Sequence, residues 1–371
     1  MRYNIPFYSL KKIHQDSKSE LLKVFEEVFK NNQFILGEYL DQFEKAFAKY
    51  IGTTYAIGVG NGYDGLKIAL KSLALNSNNE IIIPAHTFSA SISAAIEAGI
   101  RPVLVDVDLK TYHINTDLIS GTITPETRAI MPVHIYGNPC HMKSIMELAD
   151  TYQLYLIEDY AQSVGASYNG RQTGSFGNVN VTSFYPTKTL GALGDGGIIT
   201  TNIKNLNELC RQYRNYGYIT KYNLITSGFN SRLDEIQAAF LLYKLKYLDQ
   251  WQLEKNQIAK RYFQNLSDNE HIILPVERKN VKQAHHIFPI RIHKRNELQQ
   301  FLTKYGIQTQ IHYPIPPHLQ PGFKFLSYKK GNFPNTEIIC DTELSLPIYP
   351  GLNLKHVDLI SELIISFTSK L

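Results

Sequence analysis

Cysteine is scarce in this 371-residue chain: Cys140, Cys210 and Cys340 are the only three, an odd number with no CxxC pair. They support neither a disulfide framework nor a zinc site, and they suit a reducing cytoplasm. No apolar run approaches the roughly 20 residues of a membrane span, and the opening MRYNIPFYSLKKIHQDSKSE turns polar too early for a signal peptide. Charge of one sign is never concentrated. The net charge is +5, yet Lys and Arg are scattered in pairs at most, which leaves no footprint for nucleic acid and keeps small phosphorylated ligands open. Low-complexity tracts and internal repeats are also missing. A soluble, cytoplasmic protein of two domains is expected.

What is present is an alternation. SELLKVFEEVFK and EYLDQFEKAFAKYIG carry apolar residues at helical spacing. Then EIIIP, RPVLVDVD, RAIMPVHIYG, LYLIEDYA, NVTSFY and GGIITT read as strands, with helical stretches such as SASISAAIEAG and SIMELADTY between several of them. That pattern predicts a mostly parallel sheet with helices on both faces and ligands at the strand ends. After Thr200 the spacing predicts long helices, SRLDEIQAAFLLYKLKYLDQWQLEKNQIAKRYFQNL being long enough to bridge two domains. The tail from about His271 reads as a smaller α+β domain. The expected division is 1–250 for an N-terminal segment with the large domain and 251–371 for the small one.

Three stretches carry chemistry. In YAIGVGNGYDGLKIALKSL, Gly60, Gly62 and Gly65 spell a dinucleotide fingerprint between strand and helix, but the next strand lacks the acidic residue at its end. A simpler reading is a phosphate cup of the N–H groups of Gly62, Tyr63 and Asp64 at a helix start; glycines serving only a tight turn are the alternative. In LIEDYAQSVGA, Glu158 and Asp159 end a central strand, where a buried carboxylate needs a partner such as a protonated ring nitrogen. The plainer alternative has Asp159 capping a helix and Glu158 facing solvent. Gln162 adds a neutral hydrogen-bonding group to the same edge. In SFYPTKTLGALGDGG, Lys188 sits among glycines, with Ser183 and Pro186 close by. An isolated lysine is normally solvated, whereas a desolvated one loses its proton readily and attacks carbonyls. Phosphate cup, acid and amine are the handles that pyridoxal phosphate presents.

Nearly the whole chain resembles the DegT/DnrJ/EryC1/StrS family of sugar aminotransferases, through GNGYDGL, PAHTFSA, PVLVDVD, MPVHIYG, IEDYAQSVGA, SFYPTKTLGALGDGG, RNYG, GFNSRLDEIQAA and IHYPIPPHLQP. The resemblance implies the α/β aspartate aminotransferase-like (type I PLP) fold, a mostly parallel seven-stranded sheet between helices with a smaller α+β C-terminal domain. It implies that Lys188 captures the aldehyde of pyridoxal phosphate and moves the proton, that Asp159 keeps the ring nitrogen protonated, and that Gln162 bonds the ring hydroxyl. Phe88 would stack on the ring, core packing being its alternative, and Ser183 with the amides of Gly62 and Tyr63 would hold the phosphate. Tyr63 departs from the small residue usual there. Asn230 would complete the phosphate site of a second subunit in a homodimer; alone, it and Arg232 read as a turn residue and a surface charge. Tyr185, Arg232, His312 and Tyr313 are candidates for sugar contacts. His312 and His318 read otherwise as loop residues, and no metal is expected.

The implied reaction moves an amino group from glutamate to a nucleotide-linked keto-sugar. The tail motifs look most like enzymes acting on C3 of dTDP-3-keto-6-deoxyhexoses for surface polysaccharides, with C4 amination as the alternative. A nicotinamide-linked oxidoreductase would leave Lys188 and Asp159 unexplained. A sugar dehydratase on this fold would carry histidine at position 188, and a non-catalytic PLP-binding regulator is the last rival.

Overall fold

The structure is a computed structural model and describes residues 3–371. Helices α1 (Lys11–Asn31) and α2 (Glu38–Ile51) precede strand β1 (Tyr55–Val59) and helix α3 (Gly62–Ser72). Then follow β2 (Glu80–Pro84), α4 (Ser89–Glu97), β3 (Arg101–Val105), the short α5 (Thr116–Ile119), β4 (Thr127–Ile130), α6 (Met142–Tyr152) and β5 (Tyr155–Asp159). A small hairpin, β6 (Ser167–Tyr168) and β7 (Arg171–Gln172), leads to β8 (Val179–Ser183) and β9 (Gly197–Thr201). Next come α7 (Lys204–Tyr213) and an exposed hairpin of β10 (Tyr218–Thr220) and β11 (Asn223–Leu224).

The main sheet has seven strands in the order β1-β9-β8-β5-β4-β2-β3. Pairs from β3 through β8 are parallel, while β9 runs antiparallel to both β8 and β1. The reason is the connection: the chain returns from Ser183 to Gly197 through a loop with no crossover helix, so the next strand must point back. Strands buried on both faces read as continuous apolar runs. Ile81 and Ile83 of β2 pack with Leu66 and Ile68 of α3, while Ile82 packs on the other face with Met142 and Ile145 of α6.

The stretch expected as one long bridging helix is two helices, α8 (Glu235–Leu245) and α9 (Leu248–Leu266). No Gly or Pro marks the break at Lys246 and Tyr247; packing does. Ala238 and Leu241 of α8 join Phe43 and Phe47 of α2, whereas Ile258, Tyr262 and Leu266 of α9 join a second core. One straight helix cannot aim its apolar stripe at both. A short β12 (Val281–Lys282) pairs with β6. The second core is completed by β13 (Phe288–Arg291), α10 (Arg295–Lys304), β14 (Glu343–Leu346) and α12 (Leu354–Thr368), with α11 (Pro334–Thr342) between α10 and β14, and it includes Ile5. Among the described residues no helix is long and apolar enough to cross a membrane.

Candidate active site

A cavity of about 500 Å³ opens where β5 and β8 end and α3 and α4 begin, walled on its far side by residues 286, 287, 312 and 313. Ligands gather at this edge of an α/β sheet because strand ends and helix N-termini present unpaired backbone groups there.

Lys188 is carried by the loop from β8 to β9. The loop is tied internally: Phe184 N–H donates to Gly196 O, Ala192 N–H to Phe184 O and Lys188 N–H to Tyr185 O, each at 2.8 Å. A Cβ on Gly191 would lie 2.2 Å from the Pro186 carbonyl oxygen, so only glycine closes the loop this tightly. Buried Lys244 of α8 donates from Nζ to Gly191 O at 2.7 Å. In this setting burial brings the Lys188 ammonium down from 10.5 to about 8, with the Asp159 carboxylate pulling the other way.

Asp159 ends β5 with its side chain nearly buried. Oδ2 accepts from Ser91 Oγ at 2.7 Å and Oδ1 from Ala161 N–H at 3.2 Å, which fixes the carboxylate on the cavity wall. No helix follows it, so the helix-cap alternative fails. Glu158 does not face solvent: it is fully buried and accepts from His134 Nε2 at 2.9 Å and from the amides of Gly174, Phe176 and Gly177. His134 Nδ1 accepts from Cys140 N–H, so Nε2 carries its proton. Neighbouring residues on one strand thus separate into a structural carboxylate behind the sheet edge and one facing the cavity.

At the start of α3 the Asn61 side chain accepts the Asp64 amide at 2.8 Å, which removes Asp64 from the expected phosphate cup. The amides of Gly62 and Tyr63 take no protein acceptor among the described residues. The glycines serve close approach. A Cβ on Gly62 would stand 2.7 Å from Ser183 Cβ, and one on Gly65 2.7 Å from Val181 Cγ1. The dinucleotide reading fails on topology, since β1 is an edge strand beside antiparallel β9 and does not neighbour β2. The Tyr63 ring lies under Lys67 Nζ at 4.7 Å, leaving its backbone free.

Phe88 is 55% exposed at the cavity edge, its ring 5.6 Å from that of Tyr313, so it is not core packing. Gln162 Oε1 accepts from Tyr136 N–H at 2.6 Å, and its Nε2 donates to Tyr313 Oη at 3.2 Å. Ser183, Tyr185, His312 and Tyr313 also line the cavity. Asn230 and Arg232 do not: exposed Asn230 pairs with Asn215, and Arg232 bonds Asn215 Oδ1 at 3.0 Å and lies over the Tyr216 ring. His318 is buried against the Glu337 carboxylate, not against backbone. Among the described residues no three His, Cys, Asp or Glu side chains cluster to hold a metal ion.

Sequence reasoning missed His286, Thr187 and Asp195, all on the cavity wall. His286 sits in a histidine doublet before β13, the one local signal available; burial and Lys188 hold its ring neutral.

Sheet order, cleft and desolvated amine together define an α/β aminotransferase. The chain belongs to the DegT/DnrJ/EryC1/StrS aminotransferase family, whose sequence model matches residues 15–364. It is 42% identical to a dTDP-3-amino-3,6-dideoxy-alpha-D-galactopyranose transaminase of Aneurinibacillus thermoaerophilus, over 96% of this chain and 98% of the relative. It is 39% identical to a Geobacillus stearothermophilus protein named a pleiotropic regulatory protein, over 98% of each. The crystal structure of S. venezuelae DesV in complex with a ketimine intermediate superposes with a TM-score of 0.97 at 37% identity, covering 99% of both chains.

Proposed function

We propose that this protein is a pyridoxal phosphate-dependent aminotransferase that moves the amino group of glutamate to C3 of a dTDP-linked 3-keto-6-deoxyhexose, working as a cytoplasmic homodimer that supplies amino sugars for surface polysaccharides. The observation that carries the reading is the single cleft in which Lys188, brought down to about 8, shares the wall with fixed Asp159 and with the unclaimed amides of Gly62 and Tyr63. Those three features fit an aldehyde, a ring nitrogen and a phosphate on one flat molecule. When bound, pyridoxal phosphate supplies the aldehyde that Lys188 takes up and a ring that accepts the electron pair released at the substrate carbon.

Each residue then has a defined task. The Gly62 and Tyr63 amides and Ser183 Oγ bind phosphate, aided by the helix start. Asp159, held by Ser91 and Ala161, keeps a proton on the ring nitrogen. Gln162 bonds the ring hydroxyl, and Phe88 covers the ring face. Lys188 Nζ, once a free amine, would take the α-proton of glutamate and return a proton elsewhere, and water would then release 2-oxoglutarate while the amino group stays with the cofactor. Tyr185, His312 and Tyr313 face the sugar. Asn230 and Arg232, outside the cavity of their own protomer, belong to the site of a second copy.

Relatives named for 3-amino sugars favour C3 over C4. The relative named as a regulator does not favour a non-catalytic role here, because a scaffold has no use for a desolvated Lys188. The test is incubation with pyridoxal phosphate, glutamate and either the 3-keto or the 4-keto dTDP-6-deoxyhexose, with the amine position read by NMR. A 3-amino product is expected; no amino sugar from either acceptor would overturn the proposal, and a 4-amino product would overturn the position.

A further inference from the structure

Behind His312, away from the cleft, two buried polar groups stand in line. His312 Nδ1 lies 2.8 Å from Ser345 Oγ, and Ser345 Oγ bonds Glu343 Oε1. Glu343 Oε2 accepts the backbone N–H of His312 at 2.6 Å, which pins the ring's own backbone to the same carboxyl. Ser345 and Glu343 belong to β14 and are fully buried, whereas His312 lines the cleft, and among the described residues its Nε2 has no protein partner.

Ser345 has one hydroxyl proton to give. With Glu343 ionised, that proton goes to Oε1, Oγ accepts Nδ1–H, and Nε2 shows the cleft a lone pair. With Glu343 neutral, Oε1–H donates to Oγ, the hydroxyl donates to Nδ1, and Nε2 shows an N–H. Both arrangements use the same heavy-atom positions.

We propose that His312, Ser345 and Glu343 form a proton relay through which His312 exchanges one proton with a substrate oxygen in the cleft while its ring stays neutral. When the Nε2–H bond breaks, Nδ1 takes the Ser345 proton, Ser345 takes the one on Oε1, and Glu343 is left as the carboxylate. One proton has passed from acid to substrate, and no other bond changes. The use of that proton rests on the aminotransferase reading, in which the keto oxygen departs as water; the relay itself does not.

The surroundings leave few competing titrations. Burial pushes the Glu343 carboxyl up to about 8, against Ser345, the His312 amide and Arg295. Tyr112 and Cys340, beside it, are pushed up to about 12 by burial, and Tyr136 and Tyr313 are raised as well. Facing His312, burial lowers His86 to about 3 and His286 well below its usual range, and His312 itself, with Lys188 adding to the effect, falls to about 4. Near neutrality, Glu343, Lys188 and, beyond His286, Lys255 are thus the groups around the relay that change charge, and the buried Arg291 stands across the ladder from Glu343.

The experiment is nitrogen-15 NMR of histidine-labelled, cofactor-loaded protein across a pH series from roughly 6 to 10, wide enough to bracket such a carboxyl. In the native protein the His312 signals should pass from the Nε2–H to the Nδ1–H tautomer with a midpoint near 8. Glu343→Gln, whose amide cannot ionise, should stay in the Nε2–H form throughout. Ser345→Ala should abolish the pH-dependent switch, and Lys188→Ala should keep it. A single tautomer across the series in the native protein, or a switch that survives in Glu343→Gln, overturns the relay. A normal switch in a protein that aminates no sugar would instead defeat the functional reading and leave the relay standing.

Discussion

Asp159→Asn should make Lys188 a readier nucleophile and the enzyme a worse one. Burial lowers the Lys188 ammonium from 10.5 to about 8, and Asp159 is the group that holds it from falling further. At pH 7 a group at 8 is neutral in ~1 molecule in 11, against ~1 in 3,000 at 10.5, so desolvation raises the reactive fraction ~300-fold. Removing the Asp159 charge takes away the opposing attraction, so the midpoint must move below 8. The assay is stopped-flow absorbance of cofactor-free protein mixed with pyridoxal phosphate, with the capture rate measured against pH. In the native protein the rate should climb with a midpoint near pH 8 and level off about one to two units higher, and in Asp159→Asn the climb should begin earlier. Retention of the captured cofactor and amino transfer should both fall, since the ring nitrogen has lost its partner. A native midpoint near 10, or an upward shift in the variant, would refute this account of the cleft.

Gly62→Ala places a Cβ 2.7 Å from Ser183 Cβ and should cost about 1–3 kcal/mol in stability, with a weaker grip on the cofactor phosphate, read by thermal unfolding and equilibrium dialysis. Lys255 is buried on the Ala284 carbonyl and brought to about 7 by burial. Between that value and 10.5 the unfolded chain binds the extra proton, so this lysine makes stability rise with pH by up to ~1.4 kcal/mol per unit. Lys255→Met should remove that share of the slope in denaturant titrations, and an unchanged slope would show the lysine is not desolvated. Mixing Lys188→Ala with Asn230→Arg protein should restore activity toward about one quarter of the native sites, because half the dimers are mixed and each holds one complete site. If sites are not shared, mixing restores nothing.

The sheet was legible because residues buried on both faces announce themselves as short apolar runs, as in EIIIP. That Lys188, Asp159, Gln162 and Ser183 line one cleft was legible because each lies at a strand end or in the loop that leaves one. The roles within the ED pair were not: which carboxylate is structural depends on amides contributed by residues 174–177, a contact no local pattern encodes. The break between α8 and α9 was hidden for a similar reason. Both halves have good helix formers, and only the two cores they serve pull them apart. The line from Glu343 through Ser345 to His312 was invisible, its first two members being alternate positions of an ordinary strand far along the chain.

The direct return from β8 to β9 also sets a limit on how this enzyme can diverge. Ser183 pairs with Gly197 across the ladder, and the loop between them is closed on itself by the Phe184–Gly196, Ala192–Phe184 and Lys188–Tyr185 backbone bonds, so an inserted or deleted residue must break a closure that holds Lys188. On the function proposed above, variation in acceptor preference is expected in the distant wall that bears His286, His312 and Tyr313, while the stretch bearing Lys188 stays constant in length.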